Sequence, residues 1–136
     1  MTRKIRKVVV LGSGIMGSRI ACHFANIGLE VLLLDIVTPN LTEGSSKDDR
    51  NTFVNKAFSS ALRSNPSPIY SKQLTRNIKT GNFEDDLHRV GDSDWIIEVV
   101  IERLDIKKKL FEKVEKYRRK DSLITSNTSG LSLIHI

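Results

Sequence analysis

A run of aliphatic residues, Val8-Val9-Val10-Leu11, ends in Gly12-Ser13-Gly14-Ile15-Met16-Gly17. A helical pattern follows at once, and a second apolar stretch, Glu30 to Ile36, then carries Asp35 near its end. This order of strand, tight turn, helix and strand predicts a parallel α/β unit, in which each glycine has its own task. Gly12 permits a tight turn off the strand. Gly14 has no Cβ, so a ligand can approach the backbone, and Gly17 lets the helix pack closely on the strand. Unpaired N–H groups and the positive end of the helix dipole suit a pyrophosphate lying over the loop. A lone Gly-x-Gly-x-x-Gly is a weak signal, but here it has the required context and an acid at the expected spacing of ~20 residues. The Asp35 carboxylate can accept both ribose hydroxyls of an adenosine. No arginine follows to receive a 2′-phosphate, so the pattern favours NAD over NADP. The competing reading makes Asp35 an acid that only caps the next turn.

The remaining pattern extends the same architecture. Ile5 to Leu11 is predicted as a strand buried on both faces, because it is continuously apolar. Ile15 to Ile27 is predicted as the first helix, with Gly17, Ala21, Phe24 and Gly28 as its sheet-facing stripe and Gly28 as its left-handed stop. Cys22 and His23 on this helix read as packing or surface residues. Val37 to Asp48 is turn-rich and long for a simple connection. Asp48 and Asp49 favour a helix start, and the rows Phe53/Ala57/Ala61 and Val54/Phe58/Leu62 predict an amphipathic helix ending before Asn65-Pro66. Ser64 to Ser71 reads as a loop and Asn77 to Thr80 as the third strand. Asn82 is expected to cap a short helix running to about Val90. Asp94 to Val100 is the fourth strand. Leu104 to Arg119 is a helix with Leu110, Phe111, Val114 and Tyr117 inward, and Ser122 to Ser126 is the fifth strand. The predicted fold is a Rossmann-type, doubly wound parallel α/β sheet in one domain over residues 1–136, incomplete at its C-terminal end.

Bulk properties narrow the function classes. The 136 residues suit one domain, and no apolar run approaches the ~20 residues of a membrane span. Cations in Thr2 to Lys7 precede Val8 to Leu11, which is far too short for the ~7–15-residue apolar core of a signal peptide. A single cysteine, Cys22, cannot form an internal disulfide, which fits a cytoplasmic protein. The net charge of +6 comes mainly from Arg3 to Lys7 and from Arg103 to Lys120. The second group lies on the polar side of an amphipathic helix without base-reading chemistry, so nucleic acid is not an expected partner.

In an open α/β sheet, ligands gather at the carboxyl ends of the strands where strand order reverses. The segments expected there carry Gly12 to Gly17, Asp35, Glu98 to Lys107 and Asn127 to Ser129. Glu98 is acidic within an apolar strand, and a buried carboxylate needs a partner. It and Glu102 read either as site residues or as strand-end acids satisfied by backbone N–H groups, and Lys107 as a site residue or a solvated helix lysine.

Together, Val-Leu-Gly-Ser-Gly-Ile-Met-Gly-Ser-Arg-Ile-Ala, Leu-Leu-Asp, Asp-Trp-Ile-Ile-Glu-Val-Val-Ile-Glu-Arg-Leu-Asp-Ile-Lys-Lys and Ser-Asn-Thr-Ser-Gly resemble the NAD-binding domain of the 3-hydroxyacyl-CoA dehydrogenases. The resemblance runs from Ile5 to about Leu133. The Ser-Asn-Thr-Ser-Gly form and the turn-rich insertion look most like the large bacterial dehydrogenases fused to an enoyl-CoA hydratase. In many single-function members a second serine stands where Gly130 is. The resemblance implies NAD as cofactor, with Gly12, Gly14, Ile15, Met16, Gly17, Asp35, Glu102 and Lys107 binding it. Asn127 would lie near nicotinamide and substrate, and Ser129 would hydrogen-bond the 3-oxygen of an acyl-CoA. The implied activity is oxidation of an L-3-hydroxyacyl-CoA to the 3-ketoacyl-CoA in fatty acid β-oxidation.

The family's general base is a histidine in His-Phe-x-Asn-Pro, oriented by a glutamate, and this sequence does not contain that motif. His135 follows Ser129 too closely to match it, and His23 and His88 are predicted in helices away from the site. The chain therefore reads as an N-terminal fragment without the base and without the helical domain that completes the substrate cleft. Such a fragment is expected to be inactive alone. Two other readings stand beside it: a non-catalytic NAD-binding module, and a dehydrogenase of another hydroxy acid on the same fold.

Overall fold

The computed structural model describes residues 5–38, 46–64, 69, 71–99 and 104–126, with backbone only at 47, 48, 72, 104–107 and 126. β1 (Lys7–Leu11), β2 (Glu30–Asp35), β3 (Ile78–Asn82), β4 (Trp95–Glu98) and β5 (Leu123–Ser126) form one parallel sheet in the order β3-β2-β1-β4-β5. The chain moves outward from β1 through β2 to β3, then returns to place β4 on the other side of β1. That reversal between β1 and β4 is the switch point of a doubly wound sheet.

The apolar run of β1 is explained by its two faces. Val8 and Val10 pack with Ala21, Cys22 and Ala25 of α1 (Ile15–Asn26) and with Val54 of α3 (Thr52–Leu62). Val9 and Leu11 pack on the opposite face with Leu87, Val90, and Leu110 and Val114 of α4 (Leu104–Tyr117). Full burial of an aliphatic side chain is worth about 1.5–3 kcal/mol, so a strand covered on both sides needs no polar alternation.

α1 ends as expected at Gly28, whose φ is +91°. Gly28 N–H donates to Ala25 O and Leu29 N–H to Phe24 O, the paired bonds of a Schellman stop. The buried stripe is wider than expected: Gly17, Ser18, Ala21, Cys22 and Ala25 are buried, Phe24 is half-buried, and Gly28 lies beyond the helix. Burial pushes the Cys22 thiol up, against a smaller opposing effect of Arg19, which makes it a packing residue. His23 is exposed and makes an edge contact with Phe24.

Several elements differ from expectation. A short helix, α2 (Lys47–Arg50), precedes α3, and Ser46 and Asp49 exchange the reciprocal bonds of a capping box. Of the two apolar rows on α3, the one containing Val54, Phe58 and Leu62 faces the core, whereas Phe53 in the other is exposed. A 3₁₀ helix, Lys72–Asn77, capped by Ser71, stands at the end of the expected loop.

Asn82 is the last residue of β3 rather than the cap of an α-helix. Its Oδ1 accepts from Glu84 and Asp85 N–H, and the following turn leads into a 3₁₀ helix, Leu87–Asp92. Leu87 and Val90, three apart, fall on one face of a three-residue turn and are both buried. Tyr117 is exposed and not inward, with the Lys116 ammonium 5.9 Å from its ring centroid.

At the amino edge, Asp94 ties the strands together. It accepts from Arg6 and Lys7 N–H and pairs with Arg119. Burial works against its charge, but these donors outweigh it and hold the carboxyl below the usual range. Among the described residues, no helix is long and apolar enough to cross a membrane.

Candidate functional site

The glycine loop leaves β1 at Leu11, where Gly12 N–H still donates to Leu34 O at 2.7 Å. Gly12 then turns with φ +117°, a conformation that side chains rarely adopt. A Cβ on Gly17 would lie 1.8 Å from Gly12 O, so no side chain fits where α1 meets the loop. Gly14 is different. A Cβ built there meets nothing within 4 Å. Beside this open space, Ile15 and Met16 are 80% and 57% exposed. No side chain caps α1, and helix geometry leaves its first-turn N–H groups without acceptors inside the helix. Open space, free N–H groups and the positive helix end together make a cradle of the kind that suits a bridging diphosphate.

Asp35 ends β2 in register with Asn82 of β3, and the residue is 6% exposed. It is held on three sides. Oδ2 accepts from Ser13 N–H at 2.7 Å and from Ser13 Oγ at 2.6 Å, and Oδ1 accepts from Ile36 N–H at 2.7 Å. Asp35 is thus tied to the glycine loop itself, not only to the next turn. Ser18 Oγ donates to Ser13 O at 2.7 Å and fixes the loop from the helix side. Sequence reasoning passed over Ser13 and Ser18. The usable signal was a hydroxyl between the first two glycines of a loop that faces an acid.

Glu98 is fully buried at the end of β4, in register with Leu11 on one side and Ser126 on the other. It takes part in an interaction, and no buried side-chain nitrogen or oxygen among the described residues lacks a hydrogen-bond partner. It therefore meets the condition for a tolerated buried carboxylate. The ends of β1, β2, β4 and β5 share one sheet edge, which brings the glycine loop and Asp35 together with the points where the chain leaves Glu98 and Ser126. Glu102, Asn127, Ser129, Gly130 and His135 lie outside the described residues, and Lys107 is described by its backbone alone in α4. Among the described residues, no cluster of His, Cys, Asp or Glu could hold a metal ion.

Comparison with known proteins agrees with this arrangement. The family model described as "3-hydroxyacyl-CoA dehydrogenase, NAD binding domain" matches residues 7–136. The chain belongs to this family. Its cofactor is NAD, and the cradle at Gly14 beside a strand-end acid fits that molecule's diphosphate and adenosine ribose. The chain is 47% identical to the "Probable 3-hydroxyacyl-CoA dehydrogenase" of Bacillus subtilis (strain 168), over 98% of this chain and 18% of that protein. It is 44% identical to a protein of the same description from Deinococcus radiodurans, over 96% of this chain and 36% of that one. The crystal structure of 3-hydroxybutyryl-CoA dehydrogenase from Escherichia coli K12 superposes with a TM-score of 0.66 at 29% identity, covering 96% of this chain and 26% of that one. The chain thus spans 18% and 36% of the lengths of these two curated relatives.

Proposed function

We propose that the chain holds NAD at the carboxyl edge of its sheet, as the cofactor-binding part of a dehydrogenase that oxidises an L-3-hydroxyacyl-CoA to the 3-ketoacyl-CoA. The observation that carries this reading is the open space over Gly14, with Asp35 held against the same loop. The backbone of Gly12, Gly14, Ile15, Met16 and Gly17 cradles the diphosphate, and Asp35 receives the adenine ribose. By family resemblance, Glu102 and Lys107 contact the cofactor. Asn127 lies near nicotinamide and substrate, and Ser129 donates a hydrogen bond to the substrate's 3-oxygen.

Bound NAD supplies the acceptor for the C3 hydride. Ser129 holds the oxygen that changes from hydroxyl to carbonyl, and Asn127 helps orient the reacting carbon. The hydroxyl proton passes to a histidine base supplied by sequence beyond these residues. Of the histidines within the described residues, His23 is exposed on α1 and His88 is exposed on the 3₁₀ helix before β4, on the opposite face of the sheet. A helical domain covering the acyl-CoA is proposed as the partner of this one, consistent with the greater length of the relatives. We assign the protein to the cytoplasm, a reading supported by one buried, unbridged cysteine.

The reading is tested by following NADH oxidation with acetoacetyl-CoA, using the product of the complete reading frame. Turnover is expected, and Ser129→Ala should lower kcat by about 10²-fold. Substrate-independent kinetics, or full activity in Ser129→Ala, would contradict these roles.

A further inference from the structure

The ionised carboxylate of Asp35 offers about four acceptor positions, two on each oxygen. Both positions on Oδ2 are taken by one residue, since Ser13 donates its N–H at 2.7 Å and its hydroxyl at 2.6 Å. On Oδ1, Ile36 N–H takes one position at 2.7 Å. A single acceptor position remains, whereas an adenosine ribose presents two hydroxyls.

Ser13 cannot readily turn away to release the second. Its side chain is fully buried, and an ionised carboxylate accepts only, so the hydroxyl proton must point at Oδ2. Its carbonyl is held by Ser18 Oγ, which fixes the backbone from which the hydroxyl projects. Swinging the hydroxyl off Oδ2 would leave a buried donor unsatisfied.

We propose that Ser13 is a positioning residue that reserves Oδ2 of Asp35, so that Asp35 recognises the adenine ribose through one hydroxyl only. This rests on the placement of NAD proposed above. The serine between the first two glycines then has a specific consequence. It aims Oδ1 at the ligand and removes the bidentate option that an unencumbered strand-end carboxylate would have.

Calorimetric titration of the full chain with NAD and with its adenosine 2′-deoxy and 3′-deoxy analogues tests this directly. In the wild type, one analogue should bind within about 2-fold of NAD, and the other should lose about 10-fold or more, the value of a hydrogen bond to a charged group. In Ser13→Ala the freed position on Oδ2 can receive the second hydroxyl. The analogue tolerated by the wild type should then fall behind NAD by about 5-fold or more. A merely structural serine would shift all three ligands together and leave their ratios unchanged. Equal losses for both analogues in the wild type, or unchanged ratios in Ser13→Ala, would overturn the proposal. Ser13→Gly provides a second variant if the alanine chain does not fold, and the wild-type comparison stands without either. Failure of the wild type to bind NAD at all would overturn the placement of the cofactor, and this proposal with it.

Discussion

Asp35 carries two duties, and its contacts separate them. Toward the protein it anchors the glycine loop through Ser13, and in the proposed placement of NAD it presents its carboxylate to the ribose. A 2′-phosphate would meet that charge at close range, where like charges cost several kcal/mol at an effective dielectric of about 20. NAD is therefore expected to bind at least about 10-fold more tightly than NADP, and Asp35→Ala to narrow the difference to about 3-fold or less. Paired titrations with the two cofactors measure it, and equal affinities in the wild type would refute it. Asp35→Ala also strands the buried Ser13 donors, so its unfolding free energy, read from denaturant melts, should drop by about 1–3 kcal/mol. The acid and the glycines were legible in the sequence, because spacing alone puts them at one edge. The serine lock was not, since it depends on which way a buried hydroxyl turns.

At the scale of elements, the sequence was clearest where one pattern has one outcome. The Val8 to Leu11 run and the Gly28 stop both appear as read. It was ambiguous where two patterns compete. Both rows on α3 are apolar, and packing against the sheet leaves Val54 buried and Phe53 exposed. Asn82 has the chemistry of a helix cap, yet few residues separate β3 from β4. A 3₁₀ helix, rising ~2.0 Å per residue rather than ~1.5 Å, covers more distance with them. Tyr117 was read inward from α4 periodicity, but Leu110 and Val114 already fill that contact. Val114→Ala should therefore destabilise by about 2 kcal/mol, and Tyr117→Ala by no more than about 0.5 kcal/mol. Denaturant melts of both variants check this, and the reverse order would mean that α4 is rotated.

The described residues form a two-faced sheet whose carboxyl edge gathers a loop from β1, an acid from β2 and the ends of β4 and β5. The fold was legible because parallel strands buried on both sides leave long apolar runs. The candidate site was legible only in part. Asp35 ends a strand and the glycines join a strand to a helix, whereas Glu102, Asn127 and Ser129 rest on resemblance alone. The central claim is that NAD lies over Gly14. Gly14 has φ −58°, ordinary for any residue, and open space where a side chain would project. Gly14→Val should therefore keep the unfolding free energy within about 1 kcal/mol of the wild type while filling the diphosphate's place. The decisive measurement is a calorimetric titration of both proteins with NAD. Saturable binding by the wild type, with a loss of about 10²-fold or more in a folded Gly14→Val, is the predicted result. Wild-type affinity in folded Gly14→Val would contradict it.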